Sequence, residues 1–247
     1  VKYFLMNNGQ TCAALTRLVV PSSMKTEVEE RLAAEVSAQM VGDPRDESTT
    51  VGPMVSAAQR RTVESYIQRG LDGEGKVLVA GLALPDELQD GHFVLPTIFT
   101  DVAPSSTVMD EEIFGPVAAV MTFRTPEEAV QIANHTRYGL AATVWSENIN
   151  LTLDVAAKLK AGVVWINSTN MFDAAAGFGG YRESGYGREG GREGMAEYLK
   201  PVIDKPLKAD EKIAAKLSAL PVADEEISGL PRLDRTAKLY VGGKQAR

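Results

Sequence analysis

From Pro116 onward the chain alternates between strand-like and helix-like runs, and this alternation limits the possible folds more than any other feature. Val117–Phe123 is an apolar run ending just before Thr125-Pro126-Glu127, where a threonine precedes a proline suited to the first turn of a helix. The spacing predicts a strand over 117–123, a helix from Thr125 and a strand over Leu140–Trp145. A helix over Leu151–Leu159 and a strand over Val163–Ile166 are expected to follow. Strand, helix, strand, helix, strand reads as βαβ units of a parallel sheet with helices on its faces. Ligands of such sheets sit beyond the carboxyl ends of the strands. That draws attention to Asn167 and the loop after it.

The first half fits the same class. Arg17–Val20 is strand-like and stops at Pro21, and Ser22 or Ser23 offers a cap for a helix reaching about Met40. Val28, Leu32, Val36 and Met40 form its apolar stripe, and Gly42-Asp43-Pro44 ends it. A second helix is expected over 56–70, with strands over Lys76–Ala80 and 92–100. The fold class is therefore α/β, with a twisted, largely parallel sheet flanked by helices. Residues 202–232 are rich in Lys, Asp, Glu, Ala and Pro and read as a linker after a folded segment over 1–201. Residues 233–247 read as folded again, with a strand ending in Gly242-Gly243.

Charge and hydropathy narrow the function. A net charge of -7 and a pI near 5.1 provide no basic excess to attract phosphates, so no nucleic-acid partner is expected. No apolar run approaches the ~18 residues of a membrane span, and no membrane partner is expected. The opening Val1-Lys2-Tyr3-Phe4-Leu5 has no start-like character and reads as the interior of a longer protein. His92 and His135 stand in polar, surface-like settings and receive no role.

The single cysteine, Cys12, lies in Met6-Asn7-Asn8-Gly9-Gln10-Thr11-Cys12-Ala13. One cysteine cannot form an internal disulfide, and no Cys/His cluster suggests a metal. Free cysteines are ordinarily small buried hydrophobes. Three features oppose that here. Gly9 permits a close backbone approach, the polar neighbours are poor core packing, and a helical turn opening at Cys12 would favour the thiolate. The free thiol fits a reducing, cytoplasmic compartment.

Asn7-x-Gly9-Gln10-x-Cys12 resembles the active-site segment of the NAD(P)-dependent aldehyde dehydrogenases. Three further blocks extend the resemblance in order: Glu111-Glu112-Ile113-Phe114-Gly115-Pro116-Val117, Val164-Trp165-Ile166-Asn167, and Phe178-Gly179-Gly180-Tyr181-Arg182-x-Ser184-Gly185. The resemblance covers roughly residues 1–200 and implies the catalytic-domain fold of that family. It implies that Cys12 attacks an aldehyde, giving a thiohemiacetal and then a thioester that water hydrolyses. It assigns Glu112 to the nicotinamide ribose and Phe114 to the nicotinamide, with NAD or NADP as cofactor. Thr11, Ala13, Asn170 and Phe172 fall where the family lines its substrate tunnel. A small-molecule aldehyde and a homo-oligomer are the partners it implies.

Departures from the pattern matter as well. The family's general-base glutamate, oxyanion-hole asparagine and cofactor domain are expected before the cysteine, at positions this sequence does not contain. Gly177 stands where a proline is usual, and Arg192 where many members carry a carboxylate. The glycine-dense loop over 177–194 matches no phosphate-binding fingerprint and reads as structural, its arginines solvated or held by carboxylates. Lys238-Leu239-Tyr240-Val241-Gly242-Gly243 resembles the opening strand of a second unit, as in the tandem, two-unit family 16 type. Two other functions stay open on sequence alone: a CoA-acylating aldehyde dehydrogenase and a non-catalytic assembly piece of enzyme ancestry.

Overall fold

The computed structural model describes residues 1–79, 84–200, 239–241 and 244–246, and the chain divides into two units, Val1–Lys200 and Pro201–Arg247. The first begins with α1 (Lys2–Leu5), β1 (Arg17–Pro21), α2 (Lys25–Ser37) and α3 (Ala57–Arg69). It continues through β2 (Lys76–Val79), β3 (Thr97–Thr100), the single turn α4 (Thr107–Asp110) and β4 (Val117–Phe123). The pattern then runs α5 (Pro126–Asn134), β5 (Ala141–Val144), α6 (Ile149–Lys158), β6 (Val163–Ile166) and α7 (Gly191–Ala196). In the second unit, β7 (Leu239–Val241) pairs antiparallel with β8 (Lys244–Ala246). The expected linker over 202–232 lies outside the described residues.

Four strands form a sheet in the order β1-β4-β3-β2. β4 pairs parallel with β1, from Arg17↔Ala119 to Pro21↔Phe123, and parallel with β3, from Thr97↔Val117. Only β2 runs antiparallel. β4 is the central strand, and Val117–Met121 are each no more than 4% exposed, because both of its faces are covered. Alternate residues serve opposite cores. Val117, Ala119 and Met121 join Val63, Ile67 and Phe99 on one side. Ala118 and Val120 join Phe4, Leu32, Val36 and Ile98 on the other. Helix α3 closes on the first core so tightly that a Cβ at Gly70 would stand 2.3 Å from Phe99 Cζ.

The mixed α/β architecture with a mostly parallel sheet agrees with the sequence reading, but its continuity does not. β5 pairs with β6 in a separate two-stranded parallel sheet, so α5 joins two sheets rather than two strands of one. β1 and β3 occupy both edges of β4, and β5 takes β6 as its partner rather than the outer side of β1. The strand expected over 92–100 shortens to Thr97–Thr100, starting just after Pro96, which has no N–H to give. The helix expected to reach Met40 ends at Ser37, leaving Met40 56% exposed, and its carbonyl accepts from Thr50 and Val51 N–H. No side chain caps α2; Ser22 Oγ instead donates to Phe123 O at 2.9 Å. Elsewhere capping follows the sequence. Ser56 Oγ accepts from Gln59 N–H (3.2 Å) and Thr125 Oγ1 from Glu128 N–H (3.3 Å). No helix among the described residues is long and apolar enough to cross a membrane.

Phe99→Ala removes a fully buried ring shared by β3 and α3. It is expected to cost about 3–5 kcal/mol, read as a lower urea midpoint with an unchanged slope.

Candidate functional site

Cys12 is exposed, on a loop built almost wholly from side-chain amides. Asn7, Asn8 and Gly9 all have positive φ, at 52°, 58° and 74°. Asparagine and glycine tolerate this left-handed region best. Asn7 Nδ2 donates to Gln10 O (3.0 Å), and Gln10 Nε2 returns a bond to Asn7 O (3.2 Å). Asn8 Nδ2 donates to Pro53 O (2.9 Å) and its Oδ1 accepts from Gly52 N–H (2.8 Å). Gln10 Oε1 accepts from Val55 N–H at 2.9 Å. The polar residues that made poor core packing are thus the frame of the loop.

Cys12 itself does not open a helix, contrary to the sequence expectation. It occupies a turn closed by Ala14 N–H on Thr11 O (3.0 Å), and the chain then extends into β1. Nothing downstream continues the turn because Arg17–Pro21 is drawn into pairing with β4. The Cys12 N–H has no hydrogen-bond partner among the described residues. Ala13 turns inward at 5% exposure, and Thr11 Oγ1 donates to Met6 O at 3.3 Å.

The second motif lies directly against this loop. A Cβ on Gly9 would fall 2.0 Å from Gly115 O and 2.8 Å from Pro116 N, so the two backbones touch. Gly115 is equally confined, its own missing Cβ lying 2.5 Å from Val63 Cγ2. Between them Phe114 takes a left-handed φ of 55° and stays 37% exposed. Gln59, in the first turn of α3, stabilises that conformation, since its Nε2 donates to Phe114 O (2.9 Å) and Ile113 O (3.2 Å). Sequence reasoning placed this helix but missed Gln59, because nothing local says where its amide points. Glu112 is exposed and has no hydrogen bond or ion pair among the described residues. Glu111 does have one: the Tyr66 hydroxyl donates to its Oε2 at 2.5 Å, and this bond pushes the Tyr66 pKa above the ordinary 10.0.

Asn170 and Phe172 belong to a different cluster, carried by β6. Trp165 lies 5.8 Å from Phe172 and 6.4 Å from Phe178, with Phe172 and Phe178 at 4.9 Å. Trp165 Nε1 donates to Met171 O (2.9 Å), which folds the loop back over the ring. Asn167 and Asn170 again have positive φ, at 50° and 54°. Asn167 spends its amide on Ser146 N–H and O (both 2.9 Å). Both polar atoms of Asn170 are buried without a partner.

Two arginines of the glycine-dense loop, expected to be solvated or held by carboxylates, bond to backbone carbonyls instead, while Arg192 is exposed. Arg188 Nη1 donates to Gly180 O (2.8 Å) and its guanidinium lies over the Tyr181 ring at 4.9 Å. Arg182 reaches the carbonyls after α5. The loop's own carboxylates, Glu183, Glu189 and Glu193, take neither arginine; Glu183 instead lies 3.5 Å from Arg137. Among the described residues no three His, Cys, Asp or Glu side chains are grouped to hold a metal ion. A concavity of about 500 Å³ is lined by Arg60, Glu64, Ile67, Phe93, Val94 and Leu95, and includes none of the residues assigned from sequence.

Comparison with known proteins bears on this arrangement. The sequence profile described as "Aldehyde dehydrogenase family" matches residues 1–202. A betaine aldehyde dehydrogenase of Rhizobium etli is 40% identical over 193 residues, covering 78% of this chain and 39% of the relative. Betaine aldehyde dehydrogenase of Staphylococcus aureus, solved in complex with NAD+, superposes with a TM-score of 0.76 at 40% identity, over 78% of this chain and 39% of that one. Aldehyde dehydrogenase C of Pseudomonas syringae, solved as a mutant with NAD+ and octanal, gives 0.77 at 38% identity, over 80% and 41%. The chain spans about two fifths of the length of the curated relatives it matches.

Gly9→Ala forces a side chain into the Gly115 carbonyl at a positive φ, and is expected to destabilise the chain by more than about 1 kcal/mol, seen as a lower melting temperature. The Tyr66 pKa is raised on folding, so its bond contributes fully below about pH 10 and is lost as pH rises through the folded value. Tyr66→Phe should therefore cost about 1 kcal/mol at neutral pH. The gap from the unsubstituted chain should close as unfolding is measured at increasingly alkaline pH.

Proposed function

The chain belongs to the aldehyde dehydrogenase family, and from that premise we propose that it supplies the nucleophile-bearing part of an NAD(P)-dependent enzyme oxidising a small aldehyde to a carboxylic acid. The observation that carries the reading is the exposed, unpaired Cys12 thiol on a braced loop whose backbone touches the segment carrying Glu112 and Phe114.

Cys12 Sγ, as thiolate, adds to the aldehyde carbon; a C–S bond forms and the carbonyl π pair moves onto oxygen. The unpartnered Cys12 N–H donates to that oxyanion, and a donor already in place stabilises charge without reorganising. Glu112 and Phe114 fit the cofactor role the resemblance implies. A partner-free exposed carboxylate can accept ribose hydroxyl protons, and an aromatic side chain fixed beside the Cys12 loop can limit ring motion. NAD(P), when bound, would supply the hydride acceptor that turns this adduct into a thioester, and Glu112 and Phe114 are the residues of this chain that would hold it. The resulting thioester on Cys12 is opened by water, whose proton passes to a general base; the C–S bond breaks, the acid leaves and the thiolate returns. Asn170 and Phe172, with Trp165 and Phe178, offer an aromatic wall with one amide for the rest of the substrate.

The proposal extends to the whole polypeptide. Residues 1–201 are the later, catalytic half of one unit, 202–232 a linker, and 233–247 the start of a second unit in a tandem, family 16 arrangement. The β7–β8 hairpin supports the last assignment. A homo-oligomer working in the cytoplasm completes the reading, supported by the exposed apolar side chains of Trp145, Ile149 and Leu153.

In the complete enzyme, Cys12→Ala should lower aldehyde-dependent nicotinamide reduction by about a thousandfold or more while cofactor binding persists; undiminished turnover would sink the assignment. The intact mass of the native polypeptide should lie well above 26.6 kDa, and the 247-residue chain alone should show no turnover.

A further inference from the structure

We propose that Arg17 and Arg182 couple the Cys12 loop to the glycine-dense loop through the carbonyls that end α5, making both arginines positioning residues for the site. The last carbonyls of a helix have no partner within it. At the end of α5 they are met neither by glycine nor by a left-handed cap, since His135 has φ -78° and ψ 74°. Two guanidinium groups take them. Arg17 Nη1 and Nη2 donate to Ala133 O (3.3 Å), Ile132 O (3.1 Å) and His135 O (3.2 Å). Arg182 Nη1 donates to Asn134 O (3.0 Å) and Thr136 O (2.5 Å). Arg17 thus takes the carbonyls of residues 132, 133 and 135 and Arg182 those of 134 and 136, beside the backbone N–H groups of His135 and Thr136 that also reach Ile132 O and Asn134 O.

Each arginine begins a segment of the site. Arg17 is the first residue of β1 and ends the linker from the Cys12 turn, whose Ala14 and Thr16 amides bond to Thr11 O and Ala14 O. Arg182 follows Phe178-Gly179-Gly180-Tyr181, and the same turn receives Tyr181 N–H on Gly139 O (2.8 Å) and gives Gly139 N–H to Ser184 Oγ (3.0 Å). Asn134 extends the hub to the end of α6 and the turn before β6, donating to Lys158 O (2.9 Å) and accepting from Lys160 N–H (2.8 Å). The end of α5 is therefore where the four-stranded sheet, bearing Cys12, meets the two-stranded sheet, bearing Asn170 and Phe172. Arginine suits the task because one planar group presents several donors in fixed directions, which lysine does not. Displacing either side chain frees carbonyls the other also brackets, so a shift on one side is felt on the other.

The proposal rests on the reading above only in assigning both loops to one site; its test needs no turnover. Hydrogen exchange of the full chain would be compared for the native sequence, Arg182→Ala and Arg17→Lys. Arg182→Ala should speed exchange about tenfold at Ala14 and Thr16, which Arg182 does not touch, and Arg17→Lys should do the same at Tyr181 and Glu183. Iodoacetamide alkylation supplies a second readout, since one cysteine makes every adduct a Cys12 adduct; its pH profile should change in Arg182→Ala. Faster exchange confined to each arginine's own contacts, with an unchanged alkylation profile, would overturn the coupling. Arg182→Lys, which keeps the charge, provides the same comparison should the alanine variant fail to fold. Loss of coupling would leave Cys12 as nucleophile intact, whereas turnover without Cys12 would remove that role and leave the coupling.

Discussion

The contact between Gly9 and the Gly115–Pro116 peptide is the constraint on which the site depends. No side chain fits between these backbones. The Cys12 loop is consequently seated on the segment leading into β4, whose first five residues are all buried. Asn8, Gln10 and Gln59 add a second tie, since the first two hold residues 52–55 and the third, a turn further on, holds the Phe114 carbonyl. Loop, helix start and cofactor motif thus form one closed ring of hydrogen bonds around a single close approach.

That ring sits at one side of a fold in two sheets. β1 and β3 take both edges of β4, β5 and β6 pair with each other, and α5 is the bridge between the sheets. A sheet of two strands has little interior, and its strands are only half-buried except at Trp165. The aromatic trio and the arginine-held carbonyls supply the order that strand pairing alone would not.

Much of this was legible in advance. The limits of β4 and β6, the helix start at Thr125-Pro126 and the four blocks of motif residues follow from local chemistry: apolar runs, a hydroxyl before a helix, proline in a first turn. What escaped was set at long range. Periodicity shows that β4 and β5 are strands and is silent on which edge each finds free. The polar character of Asn7, Asn8 and Gln10 was visible, but their purpose was not, because their partners at Gly52, Pro53 and Val55 are distant in sequence. The arginines of the glycine-dense loop were read as solvated or held by carboxylates, whereas a helix end offers neutral acceptors that no charge count reveals. Cys12 was singled out partly for a helical turn that does not form; its setting is a turn with one unclaimed N–H.

Asn8 is followed by Gly9, the kind of dipeptide in which the backbone nitrogen most readily attacks the side-chain amide and closes a succinimide. In this fold both atoms of that amide are engaged, one by Pro53 and one by Gly52, and the left-handed backbone is held as well. Cyclisation must break these bonds first, so native structure itself slows the ageing of the segment beside the thiol. Once deamidated, position 8 would present an acceptor where Pro53 O needs a donor, and a molecule that had once opened would carry a chemical record of it.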